Sequence, residues 1–143
     1  MVRVSRPRFH LAIPVTDLAS ARSFYGEVLG FSEGRSDTHW VDFDMFGHQL
    51  VIHEVAKGGG VAATNPVDGD DVPVPHFGAL LEQQDWFVLR DRLVAAETAF
   101  VVEPHVRFEG EAGEQHTMFF LDPSGNALEF KSFADDTQVF AKH

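Results

Sequence analysis

Four residues carry ligand or proton-transfer chemistry at matching places in the chain: His10, His53, His76 and Glu129. Imidazole nitrogen and carboxylate oxygen, in a chain with no cysteine, make up a donor set for Fe(II), Mn, Ni or Zn. Side chains of a strand alternate between two faces, so position parity assigns each of the four to a face. In "FHLAIPV", 9–15, Phe9, Leu11 and Ile13 form an apolar face, with His10 and Ala12 opposite. In "HFGALLE", 76–82, Phe77, Ala79 and Leu81 point one way, and His76, Gly78 and Leu80 the other. Near the end of the chain, Leu128 and Phe130 take the core side, opposite Ala127, Glu129 and Lys131. In the strand around 48–55, Leu50 and Ile52 point inward, and Gln49, Val51 and His53 outward. All four candidates therefore lie on strand faces turned away from the helices, and three have Ala12, Gly78 or Ala127 two residues away, which leaves room for a cavity. The expected ligands are His10, His76 and Glu129. His53 shares this placement, and its imidazole can exchange protons near neutral pH.

The elements that must position these residues come in two similar runs. After the first strand, Asp17 is suited to cap a helix to about Leu29, with Leu18, Ala21, Tyr25 and Val28 at helical spacing and Gly30 at its end. Strands follow around 39–45 and 48–55, joined through Gly47. The stretch 57–75, "KGGGVAATNPVDGDDVPVP", is rich in turn formers and reads as a linker or loop. Beyond it the order repeats: a strand at 76–82, a helix from about Asp85 with Trp86, Leu89 and Leu93 on one face, then strands around 100–103, 116–121 and 126–133. "DPSG", 122–125, is the turn of the last hairpin. The expected domain is thus single, with one module at about 8–56, a second at about 76–133 and a tail at 134–143.

Around the candidate ligands, Thr117 and Phe119 share a face and are expected to line the pocket beside Glu129, as is Lys131. Arg107 is expected near its rim. His116 has the opposite parity, and His39, His48, His105 and His143 read as loop or surface residues. Trp40, Phe43 and Phe46 suit either the core or the border of the cleft. "EPHVRFEGEAGEQ", 103–115, reads as a solvated loop.

Composition narrows the class. The chain has 143 residues, 44% hydrophobic and 23% charged, as in an ordinary globular protein. Its formal charge of −11 opposes binding to nucleic-acid phosphates or an anionic membrane. Absence of cysteine excludes disulfides and thiolate chemistry. The apolar run of "MVRVSRPRFHLAIPV" is too short for a signal peptide, and no stretch approaches the ~20 apolar residues of a membrane span. A soluble, cytoplasmic protein with a small-molecule substrate is expected.

At "FHLAIPVTDLASARSFYGEVLGF", "PHFGALLE" and "FFLDPSGNALEFKSF" the sequence resembles the vicinal oxygen chelate superfamily, also called the glyoxalase, bleomycin-resistance and dioxygenase family. The resemblance runs from about Phe9 to Phe133. It implies an α+β fold of two βαβββ modules, whose mixed sheets form an open cup around one divalent metal ion held by His10, His76 and Glu129, the residues that parity selects. It also implies a homodimer and a metal-dependent enzyme, with iron as the first choice of metal and zinc, nickel or manganese as alternatives. His53 falls where glyoxalase I enzymes carry glutamate, and Phe119 where ring-cleaving dioxygenases carry tyrosine. The two-histidine, one-carboxylate set favours a dioxygenase-like reaction. The alternatives are a glyoxalase-type lyase or isomerase, a fosfomycin-type thiol transferase using Lys131 and Arg107, and a metal-free drug-binding protein.

Overall fold

The computed structural model describes residues 6–56, 63–67 and 69–142. The N-terminal residues 1–5, part of the expected linker (57–62 and 68) and His143 lie outside the described residues. The chain forms two compact units, Met1–Lys57 and Gly58–His143. Among the described residues no helix is long and apolar enough to cross a membrane.

In the first unit, β1 (His10–Val15) leads into α1 (Leu18–Ser23). Asp17 caps the helix as expected, its carboxylate accepting the Ser20 N–H at 3.2 Å. The single helix expected to about Leu29 instead widens into a π-turn, Phe24–Val28, marked by Leu29 N–H donating to the Phe24 carbonyl. Tyr25 and Leu29, four residues apart, are both in the core, whereas Val28, expected on that face, is half-buried. Gly30 then adopts φ 80°, which ends the helix. Three strands follow: β2 (Ser32–Asp37), β3 (Trp40–Met45) and β4 (His48–Glu54). They form a mixed sheet in the order β1-β4-β3-β2, with β1 and β4 parallel. Ile13, Val15, Leu50 and Ile52 are buried beneath α1, as parity implies. Phe9 departs from that pattern and is 62% exposed, because it precedes β1 and is held there by its backbone alone, to His48 and Gln49. Arg22 of α1 grips Glu33 of β2 with two hydrogen bonds of 2.6 and 2.8 Å, which holds the Glu33 carboxyl below its ordinary range.

The second unit opens with a hairpin, β5 (Ala63–Val67) and β6 (Asp70–Val74), inside the stretch expected to be linker. The helix α2 (Gln83–Ala95) buries Trp86, Leu89 and Leu93 as expected, and the Trp86 indole donates to the Phe130 carbonyl at 2.8 Å. β7 (Phe100–Arg107), β8 (Gln115–Leu121) and β9 (Ala127–Phe133) form an antiparallel sheet. β7 runs to Arg107, so the loop expected over 103–115 shrinks to 108–114. The turn between β8 and β9 is tied by the Asp122 carboxylate, which accepts the N–H groups of Ser124 and Asn126.

The strand expected at 76–82 is an extended segment that meets β9 in parallel through two isolated bridges, Phe77 with Leu128 and Leu80 with Lys131. Four backbone hydrogen bonds of 2.7 to 3.2 Å join it to β9. With this segment counted, the order in space (76–81, β9, β8, β7) repeats the order β1-β4-β3-β2 of the first unit. Gly78 permits the approach: a Cβ there would collide with the Glu129 carbonyl oxygen. The chain cannot relieve that clash without moving backbone. Gly78→Ala is therefore expected to destabilise the protein by about 3 kcal/mol, the upper part of the usual range for overpacking. Urea unfolding measures it, and a variant as stable as the native chain contradicts this account of the contact.

Candidate functional site

Glu129 sits on β9 opposite Phe119 of β8, and Lys131 sits opposite Thr117. The two carboxylate oxygens have different duties. Oε2 accepts a hydrogen bond from the Thr117 hydroxyl at 2.8 Å. Oε1 faces His76 Nε2 at 3.5 Å and the Lys131 ammonium at 3.8 Å. His76 Nδ1 lies 2.7 Å from the Pro73 carbonyl. A carbonyl only accepts, so Nδ1 carries the hydrogen and the neutral ring leaves Nε2 with a free lone pair. The edge of the Phe119 ring packs on the His76 imidazole, 4.8 Å between centroids, and limits its rotation.

Two lone-pair atoms thus face each other, an arrangement completed by a proton on Nε2 or by a metal cation. Donors of one divalent ion, each about 2.0–2.2 Å from it, stand roughly 3–3.5 Å apart at octahedral to tetrahedral angles. The 3.5 Å gap fits that spacing. Each donor also has the outer partner that metal ligands ordinarily have: a carbonyl behind the histidine and a hydroxyl behind the carboxylate.

Beside Glu129 is a cavity of about 30 Å³ lined by Asp70, His105, Arg107, Thr117 and Phe119 among others. That volume is enough to hold an ion or a water. Thr117 and Phe119 are therefore where parity puts them, and Arg107 reaches the cavity. Sequence reading missed His105 and Asp70. His105 lies on β7 opposite Thr117, but a register shift between Val102 and His105 breaks the alternation that would have assigned its face. Asp70 belongs to the β5–β6 hairpin. His116 points away from the cavity and packs against Trp86 and Phe87.

In the first unit, His10 is exposed on β1, its Nδ1 2.7 Å from Gln49 Oε1 of β4. His53 shares the face of Gln49 but stands four residues further along, opposite Pro14 and Trp40, or about 13 Å of strand. Within this unit Gln49, not His53, is the neighbour of His10. His39 lies 3.6 Å from Glu54, and His48 accepts the Phe9 N–H at 2.9 Å. Phe43 is core, whereas Phe46 is 43% exposed. Among the described residues, no group of three or more histidine, aspartate or glutamate side chains is assembled in metal-binding geometry. The geometric unit is the pair His76 and Glu129.

A family model described as the Glyoxalase/Bleomycin resistance protein/Dioxygenase superfamily matches residues 9–130. Among solved structures, the chain is similar to a glyoxalase/bleomycin resistance protein/dioxygenase from Alicyclobacillus acidocaldarius, at 33% identity and TM-score 0.78, over 97% of this chain and 100% of that one. It shares its fold with the fosfomycin resistance protein FosX of Listeria monocytogenes, at 16% identity, TM-score 0.67 and coverage of 94% and 98%. It does so too with a lactoylglutathione lyase from Agrobacterium tumefaciens, at 19% identity, TM-score 0.61 and coverage of 91% and 96%. No curated protein matches the chain.

The bond that orients Glu129 is open to direct measurement. Thr117→Val keeps the shape of a side chain that is 3% exposed and deletes only the donor. It is expected to lower unfolding stability by about 1.5–3 kcal/mol, as for a hydrogen bond to a charged group. An unchanged urea midpoint contradicts that role.

Proposed function

The chain belongs to the Glyoxalase/Bleomycin resistance protein/Dioxygenase superfamily, and from that premise we propose that it is a metal-dependent enzyme acting on a small organic substrate. The observation that carries this reading is the facing pair of donor atoms, His76 Nε2 and Glu129 Oε1, 3.5 Å apart and each braced from behind. His10 is the third proposed ligand. A bound divalent ion would supply Lewis acidity, chelating vicinal oxygens of the substrate and stabilising the charge that develops there.

The chain's own residues do the rest. Thr117 keeps one carboxylate oxygen occupied, so that Glu129 presents the other. Phe119, 2% exposed, forms an apolar wall that fixes the His76 ring and has no hydroxyl to exchange protons. Lys131 and Arg107 bring positive charge toward the oxygens of an acidic substrate. His53 is proposed as a proton carrier rather than a ligand, because Gln49 occupies the place beside His10.

Two histidines and one carboxylate are the donor set of non-haem Fe(II) oxygenases, which places a dioxygenase-like reaction first. A lyase or thiol-transfer reaction is the second reading, favoured by the two cations near Glu129 and by the likeness to FosX and lactoylglutathione lyase.

Metal analysis of protein purified without added metal tests the reading. The native chain should retain about one ion, and His10→Ala, His76→Ala and Glu129→Ala less than about 0.1 each. A native chain that holds none, and takes up none from Fe, Mn, Ni or Zn, is instead a metal-free binder. O₂ consumption by the Fe(II) form with catechols and α-keto acids separates oxygenase from lyase chemistry. His53→Ala should lose turnover and keep its metal; loss of metal makes His53 a ligand, and full activity removes it from the site.

A further inference from the structure

The first unit contains a buried carboxylate that the proposed reaction does not use. Asp42, in the middle of β3, is only 8% exposed. Burying a charged group is costly unless it is hydrogen-bonded. The Asp42 carboxylate accepts from the Gln49 side-chain amide, Nε2 to Oδ2, at 3.2 Å. The other end of that amide, Oε1, lies 2.7 Å from His10 Nδ1.

Each link of this chain dictates the next. An ionised carboxylate only accepts, so the NH₂ end of Gln49 must face Asp42. The amide oxygen is then turned to His10, and an oxygen there can only accept. His10 Nδ1 must therefore be the donor, and in the neutral ring Nε2 is left bare. The strand backbone fixes the level at which this happens: His10 and Gln49 are register partners, and Gln49 N–H donates to the Phe9 carbonyl at 2.8 Å. His48 accepts the Phe9 N–H from the other side.

We infer that Asp42 and Gln49 are positioning residues that hold His10 as its Nδ1–H tautomer, with the Nε2 lone pair presented for ligation. The consequence for metal binding rests on the proposed function; the tautomer itself does not. His76 reaches the same state by a different route, because its Nδ1 partner is the Pro73 backbone. One histidine is set by main chain and the other by a two-residue side-chain relay, so only His10 can be reset by substitution. An imidazole free in water favours Nε2–H, which makes the enforced state measurable.

The test is nitrogen NMR of the full chain, without added metal and labelled at histidine, at a pH where the rings are neutral. Native His10 is expected to show a protonated Nδ1 and a bare Nε2. Gln49→Leu removes the acceptor and should shift His10 toward Nε2–H. The double variant Gln49→Glu, Asp42→Asn retains an acceptor toward His10 and a donor between positions 42 and 49, and should keep Nδ1–H, a rescue that a merely structural role would not produce. Asp42→Asn lets the amide turn over and should give a mixture. Backbone spectra that overlay elsewhere establish that each variant is folded. Native His10 in the Nε2–H form, or a tautomer unmoved by Gln49→Leu, overturns the inference. Zinc affinity by chelator competition supplies a second arm: Gln49→Leu should bind about 10–100-fold more weakly, the usual cost of losing an outer-shell partner, and the Gln49→Glu, Asp42→Asn double variant should not. Undiminished zinc affinity in His10→Ala counts against the proposed function and leaves the tautomer result standing.

Discussion

The second unit is organised by the close backbone approach of residues 76–81 to β9. The segment is too irregular to form a full ladder, yet it is stitched to β9 by four hydrogen bonds and passes Glu129 at a glycine. Because the approach is that tight, the His76 ring two residues earlier comes to 3.5 Å from the Glu129 carboxylate. The same approach brings His76 against Phe119, while its Nδ1 is met locally by the Pro73 carbonyl three residues earlier. On the far side of β9, Trp86 bonds to the Phe130 carbonyl, so α2 holds the strand from behind. A bulkier residue at position 78 would separate the two halves of the proposed donor pair without touching either.

Hydrogen bonding then decides which atoms are available. A lone pair is useful for ligation only if the rest of its side chain is held and its proton is elsewhere. For His76 a carbonyl takes the proton-bearing nitrogen, for Glu129 a hydroxyl takes one oxygen, and for His10 an amide does the work. The three partners differ in chemistry and agree in outcome. The same hydrogen-bonding logic thus recurs in each unit taken by itself.

Much of this was legible in the chain alone. Alternation in β1, β4 and β9 assigned His10, His53 and Glu129 to their faces, and the helical spacing of Trp86, Leu89 and Leu93 located α2 and its buried side. Elements without an apolar period were not legible. β2, "SEGRSD", is exposed throughout and has no hydrophobic alternation to signal a strand. The β5–β6 hairpin hides in a stretch whose prolines and aspartates read as loop. The π-turn in the first helix keeps the spacing of an α-helix in sequence while changing its hydrogen bonds. His105 was read as a loop or surface residue because the strand was expected to end at 103; it is exposed, but β7 runs on to Arg107 with a shifted register. Parity reports a face and not a distance, which is why His53 looked equivalent to a neighbour of His10 when Gln49 is that neighbour.

The central proposal is that His76 and Glu129 are two donors of one metal site. Anomalous diffraction from metal-loaded crystals, recorded at the absorption edge of the bound metal, tests it most directly. An anomalous peak is expected about 2.0–2.2 Å from His76 Nε2 and from the Glu129 carboxylate. A peak bound elsewhere, or a fully loaded crystal with none between His76 and Glu129, would contradict it.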